Sequence, residues 1–138
     1  MITIRKQEIV KLENVLHLYQ AVGWTNYTNQ PEMLEQALSH SLAIYVALDG
    51  DAVVGLIRLV GDGFSSVFVQ DLIVLPIYQR QGIGSNLMKE ALADYNDAYQ
   101  VQLATEQTEK NLGFYRSLGF ETLSTYDCAG MIWVDREK

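Results

Sequence analysis

The feature that most constrains the fold is an apolar strand that runs through a glycine-containing loop into an amphipathic helix. The strand is predicted over Val67–Leu75, with Gln70 and Asp71 as its polar interruptions, and it ends at Pro76 because proline cannot donate to a β-ladder. A helix is predicted from Ser85 onward, because apolar residues recur on one helical face. The residues on that face are Leu87, Met88, Ala91 and Leu92. Strand, glycine turn and helix start together form an anion-binding arrangement.

The loop between that strand and that helix has the features of a phosphate site. Gln79, Arg80 and Gln81 are polar, and the glycines Gly82 and Gly84 follow them. At a helix N-terminus, free backbone N–H groups and the positive end of the helix dipole attract anions. Glycine lets the backbone approach a ligand with no side chain in the way. The segment therefore predicts a site for a ligand that carries phosphate groups.

Two familiar phosphate loops are excluded by the spacing. The P-loop requires a Gly-Lys-Ser/Thr ending, which this chain lacks, and the dinucleotide fingerprint requires a third glycine where the chain has Leu87. Taken alone, the remaining pattern Gln79-x-x-Gly82-x-Gly84 fits either a phosphate site or a tight strand-to-helix turn. It closely resembles the acetyl-CoA signature of the GCN5-related N-acetyltransferases (GNAT), in which the loop and the helix start hold the pyrophosphate of coenzyme A.

A second segment, Asn111–Phe120, resembles the late helix of the same family, which carries an aromatic-Tyr pair followed by Gly-Phe. Thr108 is the predicted N-cap of this helix, and Gly119 suits the left-handed position after its end. In the family, the tyrosine that matches Tyr115 lies near the cofactor sulfur and protonates the departing thiolate. By itself Tyr115 also fits an ordinary half-buried tyrosine. The two motifs occur in the order of the family, and the resemblance covers nearly the whole chain.

The resemblance implies an acetyl-CoA-dependent N-acetyltransferase that moves an acetyl group directly to a primary amine while both substrates are bound. Such a reaction depends on positioning and on stabilisation of the oxyanion. The family pattern implies cofactor contacts from the strand, the loop with its helix start, and the late helix. The residues concerned are Leu72, Ile73, Val74, Gln79, Arg80, Gln81, Gly82, Ile83, Gly84, Ser85, Thr108 and Asn111. Thr108 stands where relatives often carry asparagine, and Asn111 is the alternative contact one helical turn further on.

The general base is not defined by the motifs. An alkyl amine with a pKa of about 10.4 must lose a proton before it attacks the thioester. Two glutamate positions that relatives use hold Leu103 and Gln70 in this chain, so Asp71 is the nearest remaining carboxylate. Tyr115 and Asp71 are therefore the candidate catalytic residues. A structural hydrogen bond made by Asp71, and relay of the proton through water, are the alternatives.

The acceptor pocket is predicted from two aromatic segments, Gly23–Tyr27 and Gly130–Trp133, which resemble the arylalkylamine-type subgroup found in plastids and bacteria. Trp24 and Tyr27 can form an aromatic wall for a flat or cationic amine, or they can belong to the core. Arg58 is expected to pair with a surface carboxylate. A net charge of −7, from 10 basic and 17 acidic residues, favours a cationic acceptor.

The hydrophobic periodicity predicts one α/β domain over residues 1–138 with the element order β-α-α-β-β-β-α-β-α-β-β. This is the order expected of the GNAT fold, a central mixed, twisted sheet with about four flanking helices. Residues Thr25–Gln30 are predicted to form a polar loop. The last two strands are predicted near Glu121–Tyr126 and Met131–Val134.

Composition excludes several other classes. The acidic balance argues against a nucleic-acid partner, and no apolar stretch is long enough to span a membrane. One cysteine, Cys128, and two separated histidines give no metal-ligand spacing, so no metal is expected. The single cysteine also cannot form an internal disulfide, which favours a reducing, cytoplasmic location.

Two alternatives to a small-molecule acetyltransferase remain open. The acceptor can be a protein lysine or N-terminus, or the chain can be a non-catalytic acyl-CoA-binding sensor that lacks the usual glutamates. The presence of Tyr115 argues against the sensor. Edge strands allow a homodimer, which the sequence does not decide.

Overall fold

The computed structural model describes residues 1–134. The chain clusters into two compact units, Met1–Leu103 and Ala104–Lys138. The first unit holds a five-stranded sheet with strand order β1-β2-β3-β4-β5. Its strands are β1 Ile2–Gln7, β2 Ala43–Asp49, β3 Ala52–Gly61, β4 Ser66–Val74 and β5 Gln100–Leu103.

Within residues 1–134, the first unit also contains four α-helices and the second unit contains one. They are α1 Leu12–Ala21, α2 Thr25–Thr28, α3 Pro31–Ser39, α4 Ile83–Asp94 and, in the second unit, α5 Glu109–Ser117. Neighbouring strands from β1 to β4 pair antiparallel, whereas β4 and β5 pair parallel. A parallel pair needs a crossover connection, which α4 supplies. This mixed sheet with flanking helices confirms the predicted fold class.

The two faces of the sheet bury different helices. On one face α1 and α3 pack over β2, β3 and β4, in a core with a shared set of buried apolar side chains. That set is Val15, Leu18, Tyr19, Leu34, Leu38, Ile44, Val46, Leu56 and Ile73. Helix α4 packs closely at Gly55, because a Cβ there would lie 3.3 Å from Leu87 Cδ1 and 3.4 Å from Ala47 Cβ. Alternate residues of β2 thus face opposite helices, as the pleat requires.

The segment predicted as a polar loop at Thr25–Gln30 contains the short helix α2, so that prediction is wrong. The backbone N–H groups of Thr28 and Asn29 donate to the carbonyls of Trp24 and Thr25, at 3.1 and 2.9 Å. Trp24 and Tyr27, three positions apart, both pack against the core of the first unit. Aromatic packing therefore stabilises one helical turn that the polar composition of the segment did not indicate.

The two predicted C-terminal strands are also wrong for the described residues. Leu123–Tyr126 forms a 3₁₀ turn, and residues 127–134 form neither helix nor strand. The Thr122 hydroxyl lies within hydrogen-bond distance of the Ser124 and Thr125 hydroxyls, at 3.0 and 3.1 Å. Asp127 ends the turn in the left-handed conformation, with a φ of 62°. The backbone N–H groups of Thr125, Asp127 and Cys128 donate to carbonyls of residues 122–124, at 3.1, 3.1 and 3.0 Å, so this segment forms a local turn instead of a ladder. Cys128 is exposed.

Candidate functional site

Strand β4 loses its partner on one side at Gln70. Strand β5 pairs with β4 from Ser66 to Val69, and within residues 1–134 it pairs no further along that edge. On the other side β3 pairs with β4 as far as Val74, but the register jumps between Asp71 and Val69 and leaves Gln70 as a bulge. A bulge bends its strand and disrupts the ladder locally. Residues 70–74 therefore present an open strand edge beside the loop that follows.

The loop after β4 presents backbone to its surroundings. Arg80 and Gly82 both lie in the left-handed region, with φ values of 65° and 80°. Gly82 is the N-cap of α4, and no side chain caps that helix end. A Cβ on Gly82 would meet no atom within 4 Å, so the space above it is open. Left-handed backbone beside an uncapped helix N-terminus is an arrangement that favours the binding of an anion.

Two side chains brace this loop. Gln79 Nε2 donates to the Val74 carbonyl at 3.1 Å, at the end of the open edge of β4. The Tyr78 hydroxyl donates to Asp49 Oδ2 at 2.6 Å, which raises the pKa of Tyr78 above its ordinary 10.0. Sequence reasoning named Gln79 as a cofactor contact and assigned no role to Tyr78. No local signal links Tyr78 to Asp49, because the pair lies 29 residues apart in the chain.

Asp71 lies at the centre of a buried hydrogen-bond network. Its Oδ2 accepts from Arg58 Nε at 2.7 Å and from the Tyr19 hydroxyl at 2.8 Å. Its Oδ1 accepts from the Tyr27 hydroxyl at 2.9 Å. The side chains of Arg58 and Asp71 are 5% and 1% exposed. Arg58 does pair with a carboxylate, as expected, but the pair is buried rather than at the surface.

Within this network the pKa values of Tyr19, Tyr27 and Arg58 are all shifted upward. Burial, followed by the charge of Asp71, raises the pKa of Tyr19 and that of Tyr27 above the ordinary 10.0. Burial alone would lower the pKa of Arg58, but the attraction and hydrogen bond of Asp71 outweigh it, and the net shift is upward. Both tyrosines therefore stay protonated donors at neutral pH, and Arg58 stays charged.

The aromatic residues of this region form one cluster against the network. The rings of Tyr19 and Tyr27 meet edge to face with centroids 5.1 Å apart, and Trp24 lies 6.2 Å from each. The Arg58 guanidinium lies 5.9 Å from the centre of the Tyr27 ring. Trp24 and Tyr27 are thus both core-packed and half-buried. Sequence reasoning placed Tyr19 on the apolar face of α1 without a role, although a buried tyrosine hydroxyl requires a partner.

In the second unit, α5 positions Tyr115 among aromatic rings. The centroids of Phe114 and Phe120 lie 5.0 and 6.1 Å from that of Tyr115, and burial raises the pKa of Tyr115 above its ordinary 10.0. The predicted cap is confirmed, because Thr108 Oγ1 accepts from the Asn111 N–H at 3.1 Å. Gly119, with a φ of 97°, takes the predicted left-handed position. The Thr108 hydroxyl therefore caps the N-terminus of α5.

A separate pocket of about 680 Å³ lies between α1 and the β2–β3 hairpin of the first unit. Leu75 and Tyr78 line it, but none of the predicted site residues does. Within residues 1–134 there is no helix long and apolar enough to cross a membrane. No group of three or more His, Cys, Asp or Glu side chains in the same part of the chain is arranged to hold a metal ion.

The profile of the GNAT acetyltransferase domain matches residues 40–122, which include the open β4 edge, the glycine loop and α5. The chain belongs to the GNAT acetyltransferase family. It is similar to a GNAT-family acetyltransferase from Streptococcus pneumoniae TIGR4, with 83% identity, a TM-score of 0.93, and coverage of 99% of this chain and 100% of that one. An aminoglycoside N-acetyltransferase in complex with CoA shares the fold at 15% identity, with a TM-score of 0.72 over 100% of this chain and 95% of that one.

Two plant relatives bear more specific names. A protein of Oryza sativa subsp. japonica named serotonin N-acetyltransferase 2, chloroplastic, is 32% identical over 66% of this GNAT chain. A protein of Arabidopsis thaliana named GCN5-related N-acetyltransferase 1, chloroplastic, is 28% identical over 97% of it. The chain spans 48% of the rice protein and 68% of the Arabidopsis protein. Family, fold and enzyme class, an N-acetyltransferase, are therefore confirmed.

Proposed function

We propose that this GNAT enzyme transfers the acetyl group of acetyl-CoA directly to the primary amine of a small molecule. The observation that carries the proposal is the juxtaposition of the open β4 edge with the uncapped N-terminus of α4. The strand edge offers backbone groups to an extended amide-containing chain, as pantetheine is. The loop and helix end offer N–H groups to a pyrophosphate. The pantetheine arm and the pyrophosphate of coenzyme A therefore both find complementary backbone groups within the first unit.

The cofactor residues divide by the part of coenzyme A that they hold. Leu72, Ile73 and Val74 pair their backbone with the pantetheine arm. The backbone of the loop and helix start, from Gln79 to Ser85, holds the pyrophosphate. Arg80 adds the positive charge that a polyanion needs near a chain of net charge −7. Asn111 and Thr108 are the candidate contacts beside α5, because Thr108 Oγ1 accepts the cap bond and its hydroxyl proton can still be donated.

Tyr115 is the proposed general acid. Its raised pKa keeps the hydroxyl protonated at neutral pH, so a proton is available for the departing thiolate. None of the hydrogen bonds found within residues 1–134 uses that hydroxyl, whereas the hydroxyls of Tyr19 and Tyr27 both donate to Asp71.

Asp71 is proposed as a positioning residue rather than the base. Three donors already occupy its oxygens, and one of them is the buried cation of Arg58. To accept a proton from the amine, Asp71 would have to give up at least one of these bonds and leave Arg58 without its counter-charge. Loss of one member of a buried pair costs about 3–5 kcal/mol. The proton of the amine therefore leaves through water.

An arylalkylamine is the acceptor class that the comparisons favour. The rice relative is named for serotonin, and the half-buried rings of Trp24 and Tyr27 supply an aromatic surface in this chain. A protein amine is the second candidate acceptor. A homodimer and a cytoplasmic location remain predictions.

The test is thiol release from acetyl-CoA against tryptamine, spermidine, free amino acids and a short lysine peptide. The expected result is saturable acetylation of tryptamine that is lost in Tyr115→Phe. Tyr126→Phe is the matched control, because Tyr126 is 72% exposed and lies in the same unit. If the enzyme acetylates only the lysine peptide, the acceptor is a protein amine rather than an arylalkylamine. Tight acetyl-CoA binding with no turnover of any amine would favour the sensor.

A further inference from the structure

Gln70 is an exposed polar residue at the point where the β4 edge opens. The bulge gives it no partner on β3, since Asp71 pairs with Arg58 and Val69 pairs with Leu59. The flanking residues Val69 and Asp71 are 4% and 2% exposed, whereas Gln70 faces solvent. A carboxamide therefore stands at the end of the open edge along which the cofactor arm is proposed to lie.

The buried network fixes the direction of that carboxamide. The Tyr27 hydroxyl donates its only proton to Asp71 Oδ1, at 2.9 Å, and its oxygen accepts from Arg58 Nη2 at 3.2 Å. The same oxygen can therefore only accept from Gln70. The amide nitrogen of Gln70 accordingly faces Tyr27, at 3.5 Å, and Oε1 is turned away from the network. If the amide were flipped, Gln70 Oε1 would face the Tyr27 oxygen, and neither atom would have a proton to donate to the other.

We infer that Gln70 Oε1 accepts a hydrogen bond from the N–H of the acceptor amine, and that Tyr27, Asp71 and Arg58 are positioning residues that fix its direction. This inference rests on the proposed function. A carboxamide accepts a hydrogen bond but does not take up a proton at neutral pH, so Gln70 orients the amine without deprotonating it. The rate then rises with pH as the free-base fraction of the amine rises.

The kinetic test uses tryptamine as the probe acceptor with four enzymes: wild type, Gln70→Met, Tyr27→Phe and the double variant. Loss of one neutral hydrogen bond, about 0.5–1.5 kcal/mol, raises the KM for tryptamine about 2- to 12-fold. The KM for acetyl-CoA stays unchanged. Because Tyr27 acts through Gln70, the double variant is expected to be no weaker than Gln70→Met alone. Gln20→Met, at an exposed position of α1, and Tyr99→Phe, at an 83% exposed residue, are the controls.

Each kinetic outcome bears on a different part of the inference. An unchanged tryptamine KM in Gln70→Met, with an active wild-type enzyme, overturns the amine contact and leaves the proposed function standing. Additive losses in the double variant overturn the positioning role of Tyr27. A wild-type enzyme that acetylates no amine overturns the proposed function and this inference with it. Thermal melts of all variants separate these effects from loss of folding.

The orientation of the amide is tested without any substrate, by NMR of the protein with labelled glutamine side chains. The expected signal is a nuclear Overhauser effect between the side-chain amide protons of Gln70 and the ring protons of Tyr27. Its absence overturns the proposed direction of the carboxamide. In Tyr27→Phe the amide resonances of Gln70 are expected to shift and to exchange with solvent faster.

Discussion

Removal of the buried cation is expected to destabilise the protein far more than removal of an exposed one. In Arg58→Met, the Asp71 carboxylate keeps its tyrosine donors but loses the counter-charge at 2.7 Å in a site where its side chain is 1% exposed. An uncompensated buried charge of this kind costs about 3–5 kcal/mol of unfolding free energy. At about 2.1 cal/mol/K of unfolding entropy per residue, the midpoint of thermal unfolding of 138 residues falls by about 10–17 °C.

The matched control is Arg116→Met. Arg116 Nε lies 2.8 Å from Glu121 Oε1, almost the same distance, but the two side chains are 50% and 37% exposed. An exposed pair contributes at most about 1 kcal/mol, so the two substitutions isolate the effect of burial. Urea titration followed by circular dichroism measures both variants.

A second comparison separates lost packing from the buried charge. In the double variant Arg58→Met/Asp71→Asn, both charges are gone, and an amide oxygen remains to accept from Tyr19. The double variant is therefore expected to be more stable than Arg58→Met, despite one more substitution. A loss of less than 1 kcal/mol in Arg58→Met would refute the reasoning, as would a double variant whose losses simply add.

Three shorter predictions concern the loop, α5 and a turn. Gly82→Glu is expected to abolish acetyl-CoA binding in a calorimetric titration, because the added charge repels phosphate; a Cβ there meets nothing within 4 Å, but the φ of 80° strains any side chain, so Gly82→Ala is the control for strain, and retained affinity in Gly82→Glu would contradict the site. Tyr115→Phe is expected to lower kcat about 10²-fold or more with an unchanged Kd for acetyl-CoA, and an equal rate would assign the ring to packing alone. Asp62 Oδ1 accepts from the N–H groups of Phe64, Ser65 and Ser66, which with the Ser65 hydroxyl hold the pKa of Asp62 well below its ordinary 3.8. Because the folded-state pKa is lowered, this stabilisation of the turn is complete above about pH 4 and is lost only as the pH falls through the folded-state pKa; Asp62→Ala is expected to speed amide exchange at Phe64, Ser65 and Ser66 at neutral pH, and unchanged exchange would show that the carboxylate is not required.

The glycine loop and α5 could be predicted because short-range geometry governs them. Gly82 begins a helix, Thr108 caps one, and Gly119 follows one in the left-handed conformation, all within a few residues of the groups they serve. The C-terminal strands were predicted wrongly for the converse reason. A strand exists only with a partner strand, and backbone hydrogen bonds within residues 122–128 form a local turn instead.

The sequence by itself determined the family, the element order up to α5 except for the short helix α2, and the backbone features suited to a phosphate ligand. Tertiary structure alone decided what Asp71 does. Its partners Arg58, Tyr27 and Tyr19 lie 13, 44 and 52 residues away in the chain. The sequence spacing therefore indicated a lone carboxylate available as a base. Folding surrounds that carboxylate with donors, because a buried charge persists only where it is paired and hydrogen-bonded.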